Sequence, residues 1–135
     1  MPKVIYSAAK GLYQESGSGF QVNDVPILEE IQELSGTGAL GALNPYGVTT
    51  LALTSGTPTA TLAAPTSSEP AGTKKVITCA SRSGGSCAIT LTGGGIRLNG
   101  TGLATLTFDA AGETSVLISN GDKWCHVAKL ESTEG

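Results

Sequence analysis

Thr114-Ser115-Val116-Leu117-Ile118-Ser119-Asn120-Gly121-Asp122-Lys123-Trp124-Cys125-His126-Val127-Ala128 reads as two strands folded about one turn. Asn-Gly between two apolar runs favours a type I′ turn, because both central residues there need a positive φ. A two-residue loop places Val116 across from Cys125 and Leu117 across from Trp124. Val116, Ile118, Cys125 and Val127 then share one face, and Leu117, Trp124 and His126 share the other. Both faces are partly apolar, so both need cover, one of them from a second layer or another subunit. Asn120 and Gly121 are therefore expected to be structural turn residues.

The same period of two runs back along the chain. It recurs in Thr50–Thr54, Thr59–Ala63, Lys75–Cys79, Cys87–Leu91 and Leu103–Phe108, with turn residues in every gap. Strands at this spacing without intervening helices predict an all-β domain over residues 48–131, an antiparallel β-sandwich or barrel. Residues 132–135 are left as a tail.

Upstream, the period changes. Asp24 can cap a helix and Pro26 suits its first turn. Ile27, Leu28, Ile31 and Leu34 form one apolar stripe, which predicts one short helix over 25–34. Gly36-Thr37-Gly38-Ala39-Leu40-Gly41 follows. It matches a dinucleotide-binding string, but that mechanism needs a strand before it and a helix after it. Here the order is reversed, so 25–47 reads as a short helix and a glycine-rich linker. Residues 1–24 read as an extended N-terminal arm. Its apolar residues, Val4, Ile5, Tyr6, Leu12, Tyr13 and Phe20, are candidates for contact with a neighbouring subunit. An ordinary edge strand plus loop is the competing reading.

Composition points the same way. The chain has 135 residues, one domain's length. Only 14 % are charged, against a usual share of about 25 %. Small and hydroxyl residues take their place, and these desolvate more cheaply than charges. Net charge is −3 with no basic cluster beyond Lys74-Lys75, so no nucleic-acid partner is expected. No apolar run approaches a membrane span, and Met1–Lys10 lacks the apolar centre of a signal peptide. Cytoplasmic synthesis is the expectation, with Cys79, Cys87 and Cys125 as free thiols.

No constellation for chemistry emerges. Cys125 and His126 are strand neighbours and point to opposite faces, which argues against a shared metal or a nucleophile pair. His126 is the only histidine. Gly93-Gly94-Gly95 and Asn99-Gly100-Thr101 read as turns. Neither catalytic residues nor a cofactor are expected.

Five stretches carry a resemblance: Gly72-Thr73-Lys74-Lys75-Val76-Ile77, Ala88-Ile89-Thr90-Leu91, Ala104-Thr105-Leu106-Thr107-Phe108-Asp109, Gly112-Glu113-Thr114-Ser115-Val116-Leu117-Ile118 and Asn120-Gly121-Asp122-Lys123-Trp124. Together they resemble a β module of tailed-phage structural proteins, over about residues 48–130. The resemblance implies a non-enzymatic virion component. A capsid decoration (cement) protein fits a single module better than a head-fibre or tail-fibre segment does. It would sit on the capsid surface, bind the major capsid protein and self-associate, most simply as a homotrimer. A carbohydrate-binding β-sandwich shares the composition, but 4 % aromatics give it a poor sugar platform.

Overall fold

The computed structural model describes residues 4–7, 11–14, 31–97, 99–130 and 133–134. All regular structure among them is β. Strands β1 (Val4–Ser7) and β2 (Gly11–Gln14) pair antiparallel as a separate two-stranded sheet. The stretch read as an extended arm thus contains a hairpin, in which the alternating apolar residues find backbone partners. Phe20 lies outside the described residues.

The other strands form one ten-stranded sheet. They are β3 (Ile31–Gly36), β4 (Ala39–Ala42), β5 (Gly47–Leu53), β6 (Thr59–Leu62), β7 (Lys74–Arg82), β8 (Cys87–Ile96), β9 (Gly102–Phe108), β10 (Thr114–Ser119), β11 (Trp124–Leu130) and β12 (Thr133–Glu134). Every strand expected from the period of two is present.

Their pairing is not antiparallel throughout, as the sequence suggested. The first six strands wind as three coils, and each coil adds one strand to each of two walls. In the first wall β5 pairs parallel with both β3 and β7. In the second wall β6 pairs parallel with both β4 and β8. The short loops therefore cross between walls instead of turning back on a neighbour. Alternation of side chains is the same for both strand directions, so it could not distinguish them. The last strands close the stack. β10 lies antiparallel between β7 and β11, and β9 lies antiparallel between β8 and β12. The end of β8 then pairs parallel with β11, Gly95 opposite Trp124. The result is a mixed, mostly parallel, nearly closed barrel.

The helix read over 25–34 needs correction. Residues 25–30 lie outside the described part, and 31–34 belong to β3. Ile31 and Leu34, one stripe on a helix, here face opposite sides. Leu34 packs on the core while Ile31 is 65 % exposed. A helix of this length is marginal alone, and a parallel ladder with β5 outweighs its propensity. The glycine string 36–41 is likewise no linker. It is the first coil's corner and part of β4, so the sheet begins at Ile31 and not at Val48.

Three corners stack on one another: Thr37-Gly38, Thr54–Pro58 and Ser83–Ser86. Thr59 N donates to Gly38 O at 3.1 Å, and Ser86 N donates to Gly56 O at 3.3 Å. Gly56 and Gly85 have φ of +76° and +71°, and their backbones lie against the corner below. At the opposite end the first coil is held by a side chain. Gln32 Nε2 donates to Ala42 O at 3.1 Å, and its Oε1 accepts from Asn44 N and Thr49 Oγ1. This amide spans the seam between β3 and β4, which no backbone ladder joins.

The core fills the space between the walls. Leu51, Leu53 and Ile77 point in from the first, and Leu62, Ile89, Leu106 and Phe108 from the second. Trp124 is wholly buried and donates from Nε1 to Ala63 O at 2.7 Å.

The final hairpin departs from its expected register by two residues. Ser119 pairs with Trp124, Ile118 with Cys125 and Leu117 with His126. The connection spans 120–123, because Asn120 Oδ1 accepts from both Asp122 N and Lys123 N. An even slip leaves every side chain on its expected face. Leu117, Trp124 and His126 are buried, while Val116, Ile118 and Cys125 face outward. Gly121 keeps its structural role, with φ of +96° and its nearest contact for an added Cβ at 3.9 Å. Space is therefore available and only the backbone angle resists. Gly121→Val is expected to cost about 1–2 kcal/mol, read as a lowered melting temperature.

Candidate functional site

The interior offers little chemistry. Among the described residues no three His, Cys, Asp or Glu side chains gather as a metal site. Buried polar groups serve the fold. Glu113 accepts from Asp109 N and Ala110 N in the β9–β10 turn. Glu69 accepts from Thr66 N and Oγ1 in the loop before β7. Lys75, fully buried, donates from Nζ to Thr49 Oγ1 at 2.5 Å and to Tyr46 O at 3.1 Å. His126 points into the core and Cys125 out of it, the opposed arrangement their adjacency implies.

The glycines read as turns are placed as follows. Asn99 Oδ1 accepts from Thr101 N and Oγ1, and Gly100 takes φ of +82°, so 99–101 is a turn. Gly93-Gly94-Gly95 is instead a bulge inside β8, where the register against β9 jumps between Thr90 and Gly95. It lets one strand serve β6 with its first half and β11 with its second. A Cβ on Gly95 would lie 2.8 Å from Trp124 O. The triplet is thus a closure device of the barrel.

Burial governs the thiols. Desolvation pushes the Cys87 thiol up to about 11, with the neighbouring Cys79 adding to the shift. Cys79 is raised too, by burial first and Glu113 second. In the unfolded chain both ionise near 9.0. A folded-state pKa above the unfolded value means stability is complete below about pH 9 and falls as pH climbs towards 11. Thiol labelling of the native protein at pH 8 should modify the half-buried Cys125 first, with Cys79 and Cys87 protected until unfolding. Equal labelling of all three in the folded state would contradict the burial.

The outer face of the first wall is where the surface departs from a plain solvated sheet. Registered pairings align Ile31, Val48, Val76, Val116 and Ala128 in a single rank across β3, β5, β7, β10 and β11. Beside it runs Glu33, Thr50, Thr78, Thr114 and Leu130 in the same strand order. Ile118 and Cys125 extend the apolar area near the last turn. Val127 is the extra residue of a bulge in β11 and is 42 % exposed, and Leu130 is 60 % exposed. At the β11 edge a shallow groove of about 270 Å³ is lined by Thr114, Val116, Ala128, Lys129 and Leu130. Val48, Val76 and Val116 are half-buried and Ile31 is strongly exposed, and this outward apolar rank is the candidate docking surface among the described residues.

Sequence reasoning placed Val116, Ile118, Cys125 and Val127 on this side. It missed Ile31, Val48 and Val76, whose alignment depends on parallel pairing. Val4, Ile5, Tyr6, Leu12 and Tyr13 lie on the separate β1–β2 sheet and do not join the rank through any ladder. Comparison with protein-family models, with curated proteins and with solved structures finds no match.

Proposed function

We propose that this chain is a non-enzymatic structural protein of a tailed-phage virion, a capsid decoration (cement) protein that binds the phage head and braces it. The single observation that carries the reading is the apolar rank Ile31–Val48–Val76–Val116–Ala128 on the outside of the barrel. A rigid barrel presenting one such face suits passive attachment, since burying apolar surface is the main favourable term in most protein association. Low charge density reduces the desolvation cost of that contact. Its partners in this reading are the major capsid protein and further copies of itself, with a homotrimer the simplest assembly. The N-terminal segment adds a second tether, with Val4, Ile5, Tyr6, Leu12, Tyr13 and Phe20 as its apolar contacts.

Co-sedimentation with phage heads tests this. The full chain should pellet with heads and saturate at a fixed ratio to the capsid protein. Deleting residues 2–20 should leave the barrel folded and lower occupancy. A full chain that stays in the supernatant at every ratio sinks the reading. A truncated chain with unchanged occupancy removes the tether from it.

A further inference from the structure

The two ends of the apolar rank differ in shape and charge. At the β3 edge Ile31 projects from the wall, with Glu33 two residues further along the same face. At the β11 edge lies the groove, with Lys129 in its lining and Leu130 at its rim. One edge is therefore a knob beside an acid, and the other is a hollow beside a base. They are separated by four strand spacings, about 19 Å.

We propose that the two ends of this rank join copies of the chain head to tail, with Ile31 of one copy seated in the β11 groove of the next and Glu33 beside that copy's Lys129, and with Val48 and Val76 in the middle of the rank clear of that contact. The inference rests on the self-association in the reading above and assigns it a surface. The occupant is a second copy because each edge supplies what the other lacks. A groove of this size accepts a branched aliphatic side chain, and Ile31 is the most exposed large apolar residue described. The wall curves as part of a barrel, so knob and groove are turned away from one another. A two-fold contact pairs one patch with itself, whereas a contact between unlike patches repeats head to tail, into a ring where the rotation between copies closes and into an open filament where it does not. The smallest such ring is a trimer. The acid–base pair sits at the rim of the contact, where it sets orientation more than strength.

Multi-angle light scattering and sedimentation velocity on the full chain read the outcome. The wild type should show concentration-dependent association ending at three copies. Ile31→Asp places a charge in an apolar groove and should weaken association about tenfold or more, with an unchanged far-ultraviolet spectrum. Because Ile31 lies on an edge strand, a second set guards against a folding artefact. Glu33→Lys and Lys129→Glu should each weaken association, and the double exchange should restore it. A wild type that stays monomeric at its solubility limit overturns the inference. So does association that ignores both Ile31→Asp and the charge exchange. Head co-sedimentation is scored on the same samples. A monomer that still decorates heads refutes the ring alone, and a ring that never binds heads refutes the decoration role alone.

Discussion

Gly85→Ala should be the most damaging single methyl group in the barrel. A Cβ on Gly85 would sit 1.7 Å from Gly56 O and 2.7 Å from Gly56 C, both backbone atoms of the corner below. Neither can rotate away as a side-chain tip would. The φ of +71° adds the ordinary cost of a left-handed angle for an L residue. Relief requires the third coil to move off the second, which breaks the Ser86 N to Gly56 O bond. Overpacking and backbone strain together predict a loss of about 3–4 kcal/mol. Urea denaturation should show it as a much lower midpoint. Gly72→Ala is a control, since its φ is +96° but nothing lies within 4 Å of its Cβ. Equal losses at both sites would mean that the angle, and not the stacked corner, sets the cost.

Trp124→Ala should cost at least as much. The ring is wholly buried where β11 meets the end of β8, so it fills the junction of the two walls. Truncation removes about 3–5 kcal/mol through lost burial and the cavity left behind. Trp124→Phe separates the two contributions. It keeps most of the apolar volume but removes the Nε1 donor, leaving Ala63 O without that 2.7 Å partner. Ala63 is exposed, so water can replace the lost donor and the cost is that of one net hydrogen bond, about 0.5–1.5 kcal/mol. A Phe variant as stable as wild type would show that the hydrogen bond is worth little and that packing alone fixes the junction.

How far the sequence disclosed this structure depends on which physical signal each feature leaves. Strand existence was legible because inward Leu and Phe alternate with outward Thr and Ala, as in Thr50–Leu53 and Thr105–Phe108. Strand direction was not, because alternation carries no sign. Short loops with glycine suggested hairpins, but Thr54–Pro58 and Ser83–Ser86 turn corners between walls. The connection between β10 and β11 runs through Asn120-Gly121 in a register two residues off the expected one, because the Asn120 side chain caps two amides and lengthens the connection. The N-terminal error had a different origin. Ile31 and Leu34 complete a helical period in the sequence, while Gln32 and Leu34 satisfy a strand period that only the β5 ladder makes decisive.

The docking face was half legible for the same reason. Val116, Ile118 and Cys125 sit on one local hairpin, whose faces follow from sequence spacing. Ile31, Val48 and Val76 come from three coils, and their alignment is a property of register between strands up to 45 residues apart in the chain. No local window contains that information.

The seam bridged by Gln32 sets the order in which the barrel breathes. Everywhere else around the ring, adjacent strands exchange backbone bonds, but β3 and β4 meet through one amide side chain and the bonds it makes. Opening there releases the first coil without disturbing β7, β10 or the Trp124 junction. Protection against hydrogen exchange should therefore form a gradient. Amides of β3 and β4 should exchange through a local opening well below the global unfolding free energy. Those at the centre of β7 and β10 should exchange only when the whole barrel unfolds.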